Sequence, residues 1–172
     1  LIFFSIKLGF NKTKNLFFIF FLICFQGFIG WYMVSSGLID RVDVSHYRLS
    51  LHLFLAFVIL CLIFWQFLDL INFKFPSNKI NFFLPIFFLF LIFLQIIIGA
   101  FVSGMDAGMI YNSWPLMGST YFPDDNLLID FFKFSAFNQP SLVQFMHRNL
   151  AYLIFVIYIT IFVYTYLKNL RE

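Results

Sequence analysis

Four uninterrupted apolar runs, Leu16–Val34, Leu49–Leu70, Phe82–Val102 and Phe145–Leu167, constrain this chain more than any other feature. Each is about 20 residues long, and at about 1.5 Å per residue a helix of that length crosses a hydrocarbon core about 30 Å thick. Backbone N–H and C=O groups find no water there, so only helices and closed barrels can cross. Barrel strands alternate apolar with polar residues, and these runs do not. Helices are therefore expected. Pro85 is tolerated in the first turn of the third, where its missing N–H would have no intrahelical partner anyway. Composition agrees, with 62% hydrophobic and 11% charged residues, where a soluble domain carries about a quarter charged.

Leu1 to Phe10 reads as the tail of a further apolar segment already under way. No basic n-region precedes it and no small-residue cleavage site follows, so it is not read as a signal peptide; a truncated start is the simplest account. The expected fold is all-α and integral to the membrane: four transmembrane helices plus a partial N-terminal one, in a single transmembrane domain over residues 1–172.

The net charge of +3 is too small to suggest nucleic-acid binding, but its distribution is informative. Lys7, Lys12 and Lys14 precede the first run, Lys74 and Lys79 lie between the second and third, and Lys168 and Arg171 follow the fourth. These sites fall on one side, which the positive-inside rule makes the cytoplasm or matrix. Asp40, Asp43, Asp106, Asp124, Asp125 and Asp130 fall on the other. The outer loop, residues 103–142, is far longer than a usual helix–helix link and is a functional candidate. Its Gly, Pro and Asn content argues against a long helix of its own. Cys24 and Cys61 lie inside apolar runs and read as packing residues.

The chain repeats itself. Gln26-Gly27-Phe28-Ile29-Gly30 closes the first run and Gln95-Ile96-Ile97-Ile98-Gly99 the third, both Q-x-x-x-G. His52-Leu53-Phe54-Leu55-Ala56-Phe57 and His147-Arg148-Asn149-Leu150-Ala151-Tyr152 then share H-x-x-L-A-aromatic. Tandem two-helix hairpins are the expected architecture.

An ionisable residue within a span is costly and by default functional. His52 and His147 stand near the outer ends of their spans at repeat-equivalent positions, which favours a ligand role over a hydrogen-bonded histidine at headgroup depth. No Cys/His/acid cluster suits zinc. Heme asks only for one or two imidazoles, a flat apolar slot and cations near its propionates. Gly27, Gly30 and Gly99 allow close approach of a ring, or of another helix. Arg48, one turn before His52, and Arg148, beside His147, are candidates for propionates or for lipid phosphate. Trp31, Trp114 and Tyr47 suit an aromatic belt. Met33, Met117 and Met146 read as filler, and His46 as a solvated loop residue.

Taken together, the motifs resemble one family. Gly30-Trp31-Tyr32-Met33-Val34-x-Ser36-Gly37-Leu38, followed by Tyr47-Arg48-Leu49-x-x-His52-Leu53, is similar to the third and fourth helices of heme A synthase. Gln95-x-x-x-Gly99-Ala100-x-Val102-x-Gly104-x-x-Ala107-Gly108, then Tyr111-Asn112-x-Trp114-Pro115-Leu116-Met117, resembles its fifth helix and the loop after it. Val143-Gln144-Phe145-x-His147-Arg148-x-x-Ala151-Tyr152 resembles its sixth. Nearly the whole chain is covered, and the Asn-x-Trp-Pro-Leu-Met and Gln-Phe-x-His-Arg blocks are the specific ones.

The resemblance implies an interior part of an eight-helix duplicated bundle, an oxidoreductase that converts the C8 methyl of heme O to a formyl group, giving heme A for cytochrome oxidase. It implies heme b as cofactor, with iron ligated by His147, and substrate heme iron at His52. Arg48 is grouped with the His52 site; Arg148, Gln144, Asn112 and Trp114 are grouped with the cofactor heme. Partner histidines and a catalytic Glu are expected outside these residues, so this segment alone is expected to be inactive. The implied partners are heme O, the lipid bilayer, heme O synthase and an electron donor, with a homo-oligomer as an open option and no nucleic acid. A bacterial inner membrane is the implied location, a mitochondrial inner membrane the alternative. The rival readings are a membrane b-type cytochrome that only carries electrons, with one heme shared by both histidines a further variant, and a scaffold without cofactor.

Overall fold

The computed structural model describes Ile6 and residues 10–37, 44–73 and 83–169. Lys7, Asp40, Asp43, Lys74, Lys79 and Arg171, with most of the segment Leu1–Phe10, lie outside the described residues. Every long element among those described is a helix: α1 Phe10–Gly37, α2 His46–Leu70, α3 Phe83–Gly104 and α4 Pro140–Asn169. All four contain stretches long and apolar enough to cross a membrane, and no strand occurs among the described residues. The chain is a multi-pass membrane protein.

The chain divides into two compact units, Leu1–Lys79 and Ile80–Glu172. In the first, α1 packs along α2. In the second, α3 packs along α4, with three short 3-10 turns, Ala107–Met109, Leu128–Phe132 and Phe134–Asn138, in the connection between them. Each unit is thus a helical hairpin. Little of either is sequestered: among the described residues Ile19, Ile29 and Ile59 are the buried hydrophobics of the first, whereas Phe21, Leu60 and Trp65 stay exposed. Such faces are stable in lipid, where hydrocarbon covers apolar side chains as well as another helix would. The second unit has a tighter core at one end, where Ile98, Phe101 and Val143 meet Leu94, Phe137 and Met146.

Three helices start before their apolar runs, α1 by six residues, α4 by five and α2 by three. The α4 helix begins at Pro140, which suits a first helical position because it has no N–H to lose. Its first turn faces protein: Ser141, Leu142, Val143 and Gln144 are all buried, under the connection. The α2 helix begins at His46, where the Ser45 carbonyl accepts the Arg48 and Leu49 N–H groups at 3.0 Å. His46 was expected in a solvated loop; it is instead half-buried, its ring 4.2 Å from that of Tyr47. Hydropathy marks the part of a helix in hydrocarbon, and a turn at headgroup depth escapes it.

Candidate functional site

The Q-x-x-x-G spacing puts Gln and Gly on one helix face, a turn apart. In the first hairpin that face meets His52. The Gln26 amide Nε2 donates to the His52 backbone carbonyl at 2.9 Å and lies 3.2 Å from the ring Nε2. A Cβ on Gly30 would sit 3.1 Å from the His52 Cε1. The second hairpin repeats the arrangement: Gln95 Nε2 stands 3.2 Å from the His147 carbonyl and 3.3 Å from its Nε2, and a Gly99 Cβ would reach Cε1 at 3.0 Å. Each imidazole lies against a glycine, and one amide holds the histidine at its ring Nε2 and its backbone carbonyl.

The backbone carbonyl can only accept, so it commits the amide nitrogen as donor. The facing ring Nε2 must then accept as well, which puts the imidazole proton on Nδ1. In both hairpins that Nδ1 and the amide Oε1 are buried with no hydrogen-bond partner. Buried polar atoms without partners are rare and call for an explanation. An amide that grips both ring and carbonyl across a helix pair contributes about 1 kcal/mol. Gln95→Leu is accordingly expected to lower hairpin stability by about that amount, measured as thermal loss of helix signal in detergent, whereas Gln95→Glu, which sets an acceptor-only carboxylate against two acceptors, costs more.

The remaining residues expected at the site separate into two groups. Arg48 lies over the Tyr32 ring, 5.2 Å from its centroid, a cation–π contact within the first hairpin. Arg148, Gln144 and Trp114 hold the connection onto α4. The Gln144 amide satisfies Tyr111 on both sides, accepting from its N–H at 3.3 Å and donating to its C=O at 3.0 Å, and also donates to the Gly108 carbonyl at 3.2 Å. Arg148 donates to the carbonyls of Tyr111 at 2.6 Å and Ser113 at 2.9 Å. Trp114 Nε1 donates to the Tyr152 hydroxyl at 2.7 Å, and Tyr121 donates to Asn149 Oδ1 at 2.5 Å. Asn112 is exposed, its amide 3.4 Å from the Met109 carbonyl. Met117 and Met146 are packing residues, the first inside the connection and the second against the core at the α3–α4 end.

The connection has its own acidic knot. Asp124 accepts from the Ser119 N–H at 2.6 Å and from the Ser119 and Thr120 hydroxyls at 3.2 and 2.8 Å. The Ser119 N–H is the largest influence, and together these donors hold the Asp124 carboxyl below its ordinary pKa. Gly118, at φ 87°, lies so close to this carboxylate that any side chain would collide with it. For Asp125, partial burial pushes upward, but donors from Ser141, Tyr111 and Asn126 outweigh it and the net shift is down. Burial, then the neighbouring Asp125, raises the Tyr111 phenol.

What can such hairpins hold? No group of three or more His, Cys, Asp or Glu among the described residues could hold a metal ion. Each hairpin offers one imidazole, beside a glycine that leaves the adjoining helix surface bare, in apolar surroundings. That donor set fits a porphyrin whose iron would take the ring Nε2 in place of the Gln amide, the proton staying on Nδ1. Sequence reasoning singled out His52 and His147 and noted the Q-x-x-x-G repeat, but did not assign Gln26 and Gln95 to the site. The signal was present in the shared offset between each glutamine and its glycine.

Known proteins are similar to this chain over most of its length. A heme A synthase of Pelagibacter ubique is 54% identical over 167 residues, 95% of this chain and 50% of the relative. One from Rickettsia bellii is 42% identical over 147 residues, 83% of this chain and 44% of that protein. One from Flavobacterium johnsoniae is 43% identical over 145 residues, 80% and 42% respectively. The chain spans about half the length of the curated relatives it matches. No solved structure matches it. The cytochrome oxidase assembly protein family, COX15-CtaA, matches residues 1–172, end to end, and the chain belongs to that family.

Proposed function

We propose that this chain forms heme-handling hairpins of a heme A synthase, an oxidoreductase that converts the C8 methyl of heme O to a formyl group, giving heme A for cytochrome oxidase. The observation that carries the reading is the duplicated grip: two imidazoles, each fixed by a Gln amide and set against a glycine with the same distances to within a few tenths of an ångström. The family membership and the relatives' names give that geometry its substrate.

In this reading His147 ligates a resident b-type heme and His52 the iron of the substrate heme. A bound heme b supplies one-electron redox chemistry. The protein's own part is placement. Gln95 and Gln26 grip the histidine carbonyls, and Gly99 and Gly30 leave a flat surface beside rings whose Nε2 would exchange the amide for iron. Arg148 and Gln144 tie the connection over the end of α4 that bears His147, which limits water there. Arg48, which lies over the Tyr32 ring, can turn N–H groups to a propionate. The proposed location is a bacterial plasma membrane, as the relatives' organisms suggest.

The test uses the protein produced from its native gene in a host that makes heme O but not heme A. Chromatography of extracted hemes should show heme A. His147→Ala should lose the bound b-type spectrum, and His52→Ala should keep it while heme A disappears. A b-type spectrum without any heme A would instead make the protein an electron carrier, and heme retained in both variants would overturn the ligand assignment.

A further inference from the structure

The connection between α3 and α4 has an outward face that does not belong in water. Leu127, Leu128, Ile129, Phe132 and Phe134 are exposed at 70, 66, 61, 76 and 90%. They lie on and beside the two 3-10 turns Leu128–Phe132 and Phe134–Asn138. The opposite face of the same turns is pinned to the hairpin. Phe131 packs edge-on against Phe145 of α4 at 6.0 Å, Phe137 edge-on against Phe101 of α3 at 6.1 Å, and Ala136 is buried. The exposed side chains are thus held outward by a fixed inner face.

Apolar clusters of this size on a protein surface mark an interaction site. Depth indicates the partner. Phe101 is one turn from the end of α3, and Phe145 in the second turn of α4. At about 1.5 Å per residue, the turns therefore run alongside the last ~5–8 Å of both spans. That is the depth at which amphipathic segments sit, about 5–10 Å into the boundary between headgroups and acyl chains.

Charge supports the same partner. Between Leu127 and Gln139 the charged residues are Asp130 and Lys133, and they pair with each other at 2.7 Å. Asp130 also accepts the Leu127 N–H at 3.2 Å. A neutralised pair can enter a medium of low polarity at much lower cost than two free ions.

We propose that Leu127–Phe134 is an interfacial anchor, its outward face seated in the headgroup–acyl boundary of the bilayer. The anchor fixes the height of the connection, and with it the segment that Arg148 and Gln144 tie down beside His147. It stands independently of the chemistry proposed above.

The test is site-directed spin labelling in phosphatidylcholine–phosphatidylglycerol vesicles. Phe132→Cys, Phe134→Cys and Leu128→Cys are labelled one at a time in the full protein, with Cys24 and Cys61 replaced by alanine. Helix content checks each variant's fold. All three labels should collide more often with oxygen than with a water-soluble nickel chelate, as a label at the lipid-facing Phe90 in mid-span would. Preference for nickel would show a water-exposed segment, and low collision with both would show a face covered by protein, whether more of the same polypeptide or a second copy. Either result overturns the anchor.

Discussion

A Gly99→Leu variant is expected to lose its bound b-type heme, and Gly30→Leu to keep that heme while failing to make heme A. Both follow from one geometric fact. A Cβ at Gly99 would stand 3.0 Å from His147 Cε1, and one at Gly30 would stand 3.1 Å from His52 Cε1. Such an approach is tighter than nearly all real Cβ contacts, so even alanine pushes each ring by a few tenths of an ångström. Leucine adds an isobutyl branch to a surface that is otherwise bare. Overpacking of this sort costs about 1–3 kcal/mol in a well-packed site. Ligation is the more sensitive quantity, because a metal ligand must hold its place to about 0.5 Å. The Gln amide resists the shift, since it grips the same histidine's carbonyl.

A control lies within the same repeat. A Cβ on Gly27 would meet nothing within 4 Å. Gly27→Ala should therefore leave both hemes unaffected and firm the helix by about 0.5–1 kcal/mol. The measurements are the reduced-minus-oxidised difference spectrum and chromatography of extracted heme. Full heme content in Gly99→Leu would mean that His147 does not need the bare surface beside it, and the argument from the cradle would fail.

Much of this was legible before any coordinates. Continuous apolar runs permit only helices in hydrocarbon, so the four long elements followed directly. The doubled Q-x-x-x-G and H-x-x-L-A patterns announced two like hairpins. What stayed hidden depended on partners distant in sequence. Gln26 is 26 residues from His52 and Gln95 is 52 from His147. Spacing shows that Gln and Gly share a face, but the register of the hairpin decides which residue of the next helix meets that face. The start of α2 at His46 was hidden for another reason: polar residues can form a helical turn at headgroup depth, where water still satisfies what the helix leaves open. The burial of Ser141 and Gln144 was equally invisible, because the connection that covers them carries no regular pattern.

Arg148 shows the same difficulty with larger consequences. Beside a histidine it reads as a partner for a propionate, yet its guanidinium spans the carbonyls of Tyr111 and Ser113, residues that come back over α4 from 37 and 35 positions away. Charge-assisted hydrogen bonds of this kind contribute about 1.5–3 kcal/mol each, less where water competes. The Ser113 contact is exposed, so Arg148→Leu is expected to cost about 2 kcal/mol in holding the connection down. Hydrogen exchange at residues 111–117 of heme-free protein should quicken accordingly, by about 30-fold at constant global stability. Arg148→Lys should recover only part of this, because one ammonium lacks the planar fork that reaches two carbonyls at once. The guanidinium has five N–H groups and spends two, so a propionate can still be served. Heme-free and heme-loaded protein separate the two roles. Exchange that quickens without heme reports the tie to the connection, and a further loss of heme from Arg148→Lys reports the propionate. Unchanged exchange in heme-free Arg148→Leu would show that these carbonyls do not depend on Arg148, and the covering of the His147 end of α4 would need another cause.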